Sequence, residues 1–366
     1  MTKKLLAIIV VIIALVALTV YFIFSKNKDD IKTSKQENRE AEITDIQDAT
    51  LEQIEKKAKT EGAFELAYMS QYVIDMEPVL NGFSDKYGIN CNNVYSDSLM
   101  DFSKSKTKAM GIADFSVAKR AAEQGILQPY KTSNFDSVPD WAKDENGFWI
   151  SAFSGCISFI RGNKSIPFSW EEIRNGDYII TVGDASKSVT AQSTVIASAY
   201  AFGGSMDDLE PAFEFWIEMA EKDRIDSGDI LMARVDSGEI ELGVTWSYES
   251  VFYKNSSENS SICIGIPSDG TILIGNALVI NKNTNTLFSS ALFCEYVFSD
   301  EGQMALAKIG AIPARTDLKV SPEIEEDTFK ASEYKNAVVI TDFEKYIAAC
   351  DEISKWWNEN IIPKLN

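Results

Sequence analysis

The stretch LEQIEKKAKTEGAFELAYMSQYVIDMEPVLNGFSDKYGINCNNVY, residues 51–95, carries the reading of the fold. Leu51, Ile54 and Ala58 fall on one face of a helix that follows the capping candidates Asp48 and Thr50 and stops near Gly62. A short strand over residues 64–68 comes next. Met76, Val79, Leu80, Phe83 and Tyr87 then make a second apolar helical face ending at Gly88, and residues 93–95 read as another strand. Helix and strand periods alternate, which is the pattern of an α/β protein. The alternation recurs in an apolar run at 155–160, strands at 178–182 and 240–245, and helices at 191–202 and 209–221. Largely parallel sheets are expected. No fixed-period repeat is visible, and no Gly/Pro/Ser-rich spacer divides residues 45–366, so two lobes that share this chain have to be joined by crossings.

A chain of 366 residues has the length of roughly two domains at about 150 residues each. Its hydrophobic share of 45% and charged share of 25% are those of a globular protein, not a disordered or fibrous one. The net charge of −20 repels phosphate backbones and anionic headgroups, so no nucleic-acid partner is expected. Histidine is absent, which removes the commonest metal ligand and general base. The five cysteines, at 91, 156, 263, 294 and 350, have no CxxC spacing, and their odd number leaves at least one thiol free. Cys294 keeps helical spacing with Leu287, Ala291 and Phe298 and reads as a buried small hydrophobe. With neither a P-loop string nor a GxSxG elbow in the chain, an enzyme is not expected, and no cofactor is implied.

Residues 5–24, LLAIIVVIIALVALTVYFIF, are uncharged and mostly aliphatic, and as a helix they span about 30 Å, one bilayer core. Tyr21, Phe22, Ile23 and Phe24 stand where a cleaved signal would have small residues, so residues 1–24 read as an uncleaved transmembrane anchor. Lys3 and Lys4 on one side and Lys26 and Lys28 on the other leave the orientation nearly balanced. Residues 25–44 are polar, of both charge signs and almost free of large apolar groups, the composition of a flexible tether.

A series of strings in order, LEQIEKKAKTEG, QGILQPYKTS, VPDWAKDENGFWI, GCISFIRGN, SWEEI, FGGSMDDLEPAFEFW, GNALVINKN, FSDEGQ and GAIPARTDLKV, resembles the extracellular solute-binding proteins of ABC importers over residues 48–322. The branch it is most similar to holds ferric-ion and organophosphate or sugar-phosphate binders. The resemblance implies a two-lobed type II periplasmic-binding-protein fold with two crossover strands, here preceded by the N-terminal transmembrane helix. Lobe 1 is then expected over 45–155 and 270–366 and lobe 2 over 156–269, with crossings at 155–160 and 264–274. It also implies that residues 25–366 lie outside the cytoplasmic membrane, in a monomeric receptor whose partners are a small-molecule ligand and an ABC permease.

In α/β lobes ligands bind beyond the carboxyl ends of strands, where loops enter helix N-termini. Three polar turns qualify. Ser70, Gln71 and Tyr72 follow the strand at 64–68, with a plain N-cap at Ser70 as the alternative. Ser186, Ser188 and Thr190 follow the strand ending at Val182 and, with Lys187, offer a cradle for an oxyanion or an ordinary capped helix start. Trp246, Ser247, Tyr248 and Glu249 resemble the family's second-lobe ligand loop, suited to stacking on a sugar or packing on the hinge. Asp114 and Ser116 match a lobe-one segment, Asp114 reading best as a helix cap, and Gly275 and Asn276 can approach the cleft by backbone, with a tight turn at Gly275 as the alternative. Residues 141–149 read as a structural turn at Asn146 and Gly147 between two buried indoles.

Iron binders of this type generally use adjacent tyrosines, and this chain has no Tyr-Tyr pair, leaving Tyr248, Tyr253 and Glu249 as hard oxygen donors. The ligand expected is a small anionic or polyhydroxyl solute, an organophosphate or sugar phosphate first. A ferric-ion carrier and a sensory receptor coupled to a membrane signalling partner are the alternatives.

Overall fold

The computed structural model describes residues 45–69, 74–162 and 165–365. The anchor and tether assigned to residues 1–44 lie outside the described residues, as do Ser70, Gln71 and Tyr72. Among the described residues no helix is long and apolar enough to cross a membrane. The chain divides into two units, residues 1–49 and residues 50–366. Of the first, the described part is a single 3-10 turn, Ile46–Asp48, capped by the Asp45 carboxylate.

The second unit opens with α1 (Leu51–Glu61), where Thr50 and Gln53 exchange side-chain-to-backbone hydrogen bonds of 3.3 and 2.9 Å and Gly62 ends the helix at a φ of 84°. There follow β1 (Phe64–Tyr68), α2 (Glu77–Tyr87), β2 (Cys91–Tyr95), α3 (Leu99–Lys104), β3 (Lys108–Asp114), α4 (Phe115–Glu123) and β4 (Leu127–Gln128). The long strand β5 (Ile150–Arg161) leads to α5 (Trp170–Asn175), β6 (Ile180–Thr181), α6 (Val189–Ala201), α7 (Glu210–Glu221), β7 (Ile225–Asp226), α8 (Met232–Asp236), β8 (Leu242–Trp246), α9 (Ser247–Ser256) and β9 (Cys263–Gly265). The chain returns through β10 (Ile272–Asn281), α10 (Leu287–Val297), α11 (Asp300–Lys308), β11 (Ile312–Pro313), α12 (Pro322–Asp327), α13 (Ala331–Tyr334) and β12 (Val338–Val339), and closes with α14 (Phe343–Asn360).

The strands run β2-β1-β3-β10-β5-β8-β6-β7. β5 pairs with β10 through Cys156 and with β8 and β9 from Ile157 onward, so one strand serves both sheets. The sheets are mixed where largely parallel ones were expected. β1 is parallel to β2 and β3, and β6 is parallel to β7 and β8, each a product of βαβ crossovers. β5 and β10 run antiparallel to these neighbours because they carry the chain out of one sheet and back into it. Both are buried almost throughout, and the polar residues they carry, Ser151, Ser154 and Ser158 in β5 and Asn276 and Asn281 in β10, are buried with them.

α6 is buried from Ala191 to Ala199, and its buried hydroxyls are satisfied within the fold, Ser193, Thr194 and Ser198 donating to Val189 O, Thr190 O and Val195 O. One of its covers is α14: Tyr346 Oη and Ser193 Oγ lie 2.6 Å apart, Ser354 Oγ donates to Ser186 O at 2.8 Å, and Trp356 stacks on Phe213 of α7 at 4.0 Å. The segment 270–366, expected as a return to the first sheet, thus ends on helices that flank the second. Cys294 is buried in α10, and all five cysteines are free thiols.

Candidate functional site

β3 delivers the chain to α4 at Asp114. The Asp114 carboxylate caps the helix, accepting from Val117 N at 2.9 Å and from Ser116 Oγ at 2.6 Å through the same oxygen. Asp114 stands opposite Asn276 in the ladder, and Asn276 is buried. Gly275 is buried, and a Cβ there would meet the Phe115 ring and Ser151 Oγ, so the missing side chain makes room for Phe115 to lie on the sheet.

The second turn folds on itself. Asp184 Oδ1 accepts from Ser186 N at 2.9 Å and Ser186 Oγ at 2.7 Å, while Lys187 Nζ pairs with Asp184 Oδ2 at 2.9 Å. Burial pushes the Asp184 carboxyl up, but the Ser186 and Lys187 contacts outweigh it and hold the group below the usual aspartate range. Ser188 caps α6 by accepting from Ala191 N at 3.3 Å, and Thr190 is half-buried in the first turn of α6. The hydroxyls of Ser186 and Ser188 are therefore spent inside the loop.

These two helix starts meet at a cavity of about 360 Å³. Met69, Asp114, Ser116 and Ile274 form one wall, and Val189 and Gln192 of α6 form another. Met69 is the residue next in the chain to Ser70. The third wall belongs to α14, through Phe343, Tyr346, Ile347, Cys350 and Asp351. Reading the sequence missed this wall, although Asp342 followed by Phe343, Tyr346, Ile347 and Cys350 is a capped helix with an apolar stripe. Two carboxylates and no lysine or arginine line the cavity among the described residues.

The turn at 246–249 is elsewhere, in the interior where β5 passes between the sheets. Trp246 and Tyr248 are buried and stack at an interplanar angle of 6°, and Tyr248 meets Phe153 edge-on at 6.1 Å. Ser247 Oγ accepts from Cys156 N at 3.3 Å and donates to Gly310 O at 3.1 Å, tying α9 to the crossing strand and to the turn before β11. The Glu249 carboxyl is buried against the Thr245 hydroxyl, and burial pushes its pKa up. The Tyr253 hydroxyl donates to Ile230 O at 2.6 Å. The phenol and carboxylate oxygens considered for iron are thus engaged in or enclosed by the fold, and no cluster of three or more His, Cys, Asp or Glu side chains able to hold a metal occurs among the described residues. Trp141 and Trp149, expected as buried indoles, are half-buried, and in the turn between them Asn146 is exposed while Gly147 is buried against Tyr130.

The geometry has close counterparts among known proteins. An extracellular solute-binding protein from Bordetella parapertussis superposes with a TM-score of 0.64 at 14% identity, covering 82% of this chain and 99% of its own. The apo ferric ion-binding protein A of Pasteurella haemolytica does so with a TM-score of 0.60 at 15% identity over 81% and 97%. The periplasmic binding protein AfuA of Actinobacillus pleuropneumoniae, solved with fructose-6-phosphate bound, gives a TM-score of 0.58 at 20% identity over 82% and 98%. The sequence pattern described as bacterial extracellular solute-binding protein matches residues 108–337, more than half of the chain. With the fold and the sequence pattern in agreement, this chain belongs to the bacterial extracellular solute-binding protein family.

Proposed function

We propose that the protein is a membrane-anchored receptor that captures a small hydroxyl-rich solute outside the cell and hands it to an ABC importer, without catalysing a reaction. In this reading residues 5–24 hold it at the membrane, and residues 45–155 with 270–342 form one jaw. Residues 156–269, with α14 strapped to them, form the other, and the jaws close by hinging at β5 and the 266–271 connection. The observation that carries the ligand class is the pair of carboxylates, Asp114 and Asp351, lining the cavity where α4, α6 and α14 meet. Carboxylates accept hydrogen bonds from hydroxyls, whereas a phosphate about 5 Å from one is repelled by about 3 kcal/mol at an effective dielectric of about 20.

A sugar phosphate is the second reading. It is supported by the two helix N-termini at the cavity and by the fold shared with AfuA, solved with fructose-6-phosphate, although the carboxylate cap offsets the dipole of α4. Thermal shift against neutral sugars, polyols and sugar phosphates separates the two, since ligand at a hundred times its Kd adds about 2.7 kcal/mol of stability. Asp351→Asn then gives the sign. It removes a charged acceptor worth about 1.5–3 kcal/mol, so affinity for a hydroxyl-rich solute should fall about tenfold or more, while affinity for a phosphate should rise. A rise with phosphates in both experiments would overturn the first reading in favour of the second.

A further inference from the structure

This cavity has a neighbour across Phe343. A second opening of about 690 Å³ shares Ser116, Phe343 and Ile347 with it and runs along the outer side of α4. Its wall is aromatic. Phe115 lies 4.7 Å from Trp149, 6.3 Å from Trp141 and 5.3 Å from Phe343 between ring centroids, and of these four only Phe115 is fully buried. Lys119 and Arg120 from α4 and Glu344 from α14 stand exposed at its rim, and none of the three forms an ion pair among the described residues. Half-open indoles beside both donors and acceptors match a sugar ring, whose C–H face stacks on an aromatic plane while its edge hydroxyls give and accept hydrogen bonds. The two volumes together reach the upper end of the roughly 300–1,000 Å³ usual for small-molecule sites, more space than one ring fills.

From this adjacency we infer that the protein takes a solute of at least two linked sugar rings, one held in the inner cavity and the next stacked on Trp149 in the outer groove. The inference rests on the hydroxyl-rich reading of the cavity. It is tested on the full-length chain by calorimetry and indole fluorescence with glucose and galactose against maltose, cellobiose and lactose. At least one disaccharide should bind tenfold or more tightly than its monosaccharide and change the indole emission. Trp149→Ala should bring the ratio of disaccharide to monosaccharide affinity close to one, and Trp149→Phe, which keeps a ring, should retain part of the excess. The thermal midpoint of each variant without ligand shows that it is folded. If sugars bind but the second ring adds nothing, or if folded Trp149→Ala keeps the full disaccharide affinity, the outer subsite is refuted and the cavity reading stands. If none of these sugars binds while sugar phosphates do, the cavity reading fails and the subsite with it.

Discussion

Replacing Gly275 by alanine tests how the sheet and the site are coupled. A Cβ built there lies 2.7 Å from Ser151 Oγ and 2.8 Å from Phe115 Cε1, and nearer still to Phe115 Cζ, closer than real Cβ contacts come. The glycine has no left-handed backbone requirement, so the effect is steric. Phe115 cannot easily retreat, since it is 4% exposed and wedged between Trp149 and Phe343. Overpacking of this kind costs about 1–3 kcal/mol. Asp114 and Ser116, which flank Phe115 and line the cavity, should shift with it, and ligand affinity should fall about tenfold, or about 1.4 kcal/mol. Urea unfolding should show a lower midpoint at unchanged slope, and calorimetry the weaker binding. If Gly275 instead serves the ligand directly by its backbone, binding falls while the urea midpoint stays put. A double-mutant cycle sharpens the test: with Phe115→Ala the ring is gone, and Gly275→Ala should then cost at least about 1 kcal/mol less. Simple additivity of the two substitutions would refute the seating of Phe115 on Gly275.

Two further outcomes concern the inward-facing turn. The Glu249 pKa is raised by burial, so above the unfolded-state value near 4.3 the unfolded chain has lost a proton that the folded chain still holds. Stability should therefore fall as pH rises from about 4.3 through the higher folded value. Glu249→Gln, which keeps an acceptor for Thr245, should flatten that slope and be the more stable protein at pH 7; parallel pH–stability curves for the two proteins would show the carboxyl to be energetically silent. Tyr248→Ala should cost about 3–5 kcal/mol, as expected for emptying a site that is 3% exposed, with ligand affinity of the folded fraction unchanged. Normal stability with lost binding would return Tyr248 to the ligand wall.

The parts of this molecule that could be read in advance are those whose causes lie within a few residues. The Thr50 cap and Gly62 stop bound α1, and the Asp114 cap starts α4, because each is a hydrogen bond or a backbone conformation set locally. The apolar run at 155–160 announces the buried second half of β5 for the same reason. Residues 246–249 follow a strand and precede a helix just as Asp114 and Ser116 do, and nothing near them in the chain tells the two turns apart. What turns Tyr248 inward is space left by Gly155, whose absent side chain lies against the tyrosine ring, and an anchor at Gly310, whose carbonyl holds Ser247; both are distant in sequence. α14 poses the same problem on a larger scale. Its apolar stripe predicts that Phe343, Tyr346, Cys350 and Trp356 must be covered, but the cover is chosen by Phe115 on α4 for Phe343, Ser193 on α6 for Tyr346 and Phe213 on α7 for Trp356. A helix that seals a cavity between elements far apart in the chain is specified by the shapes of those elements, so its role becomes legible only when they are assembled, and Asp351 in the cavity wall comes with it.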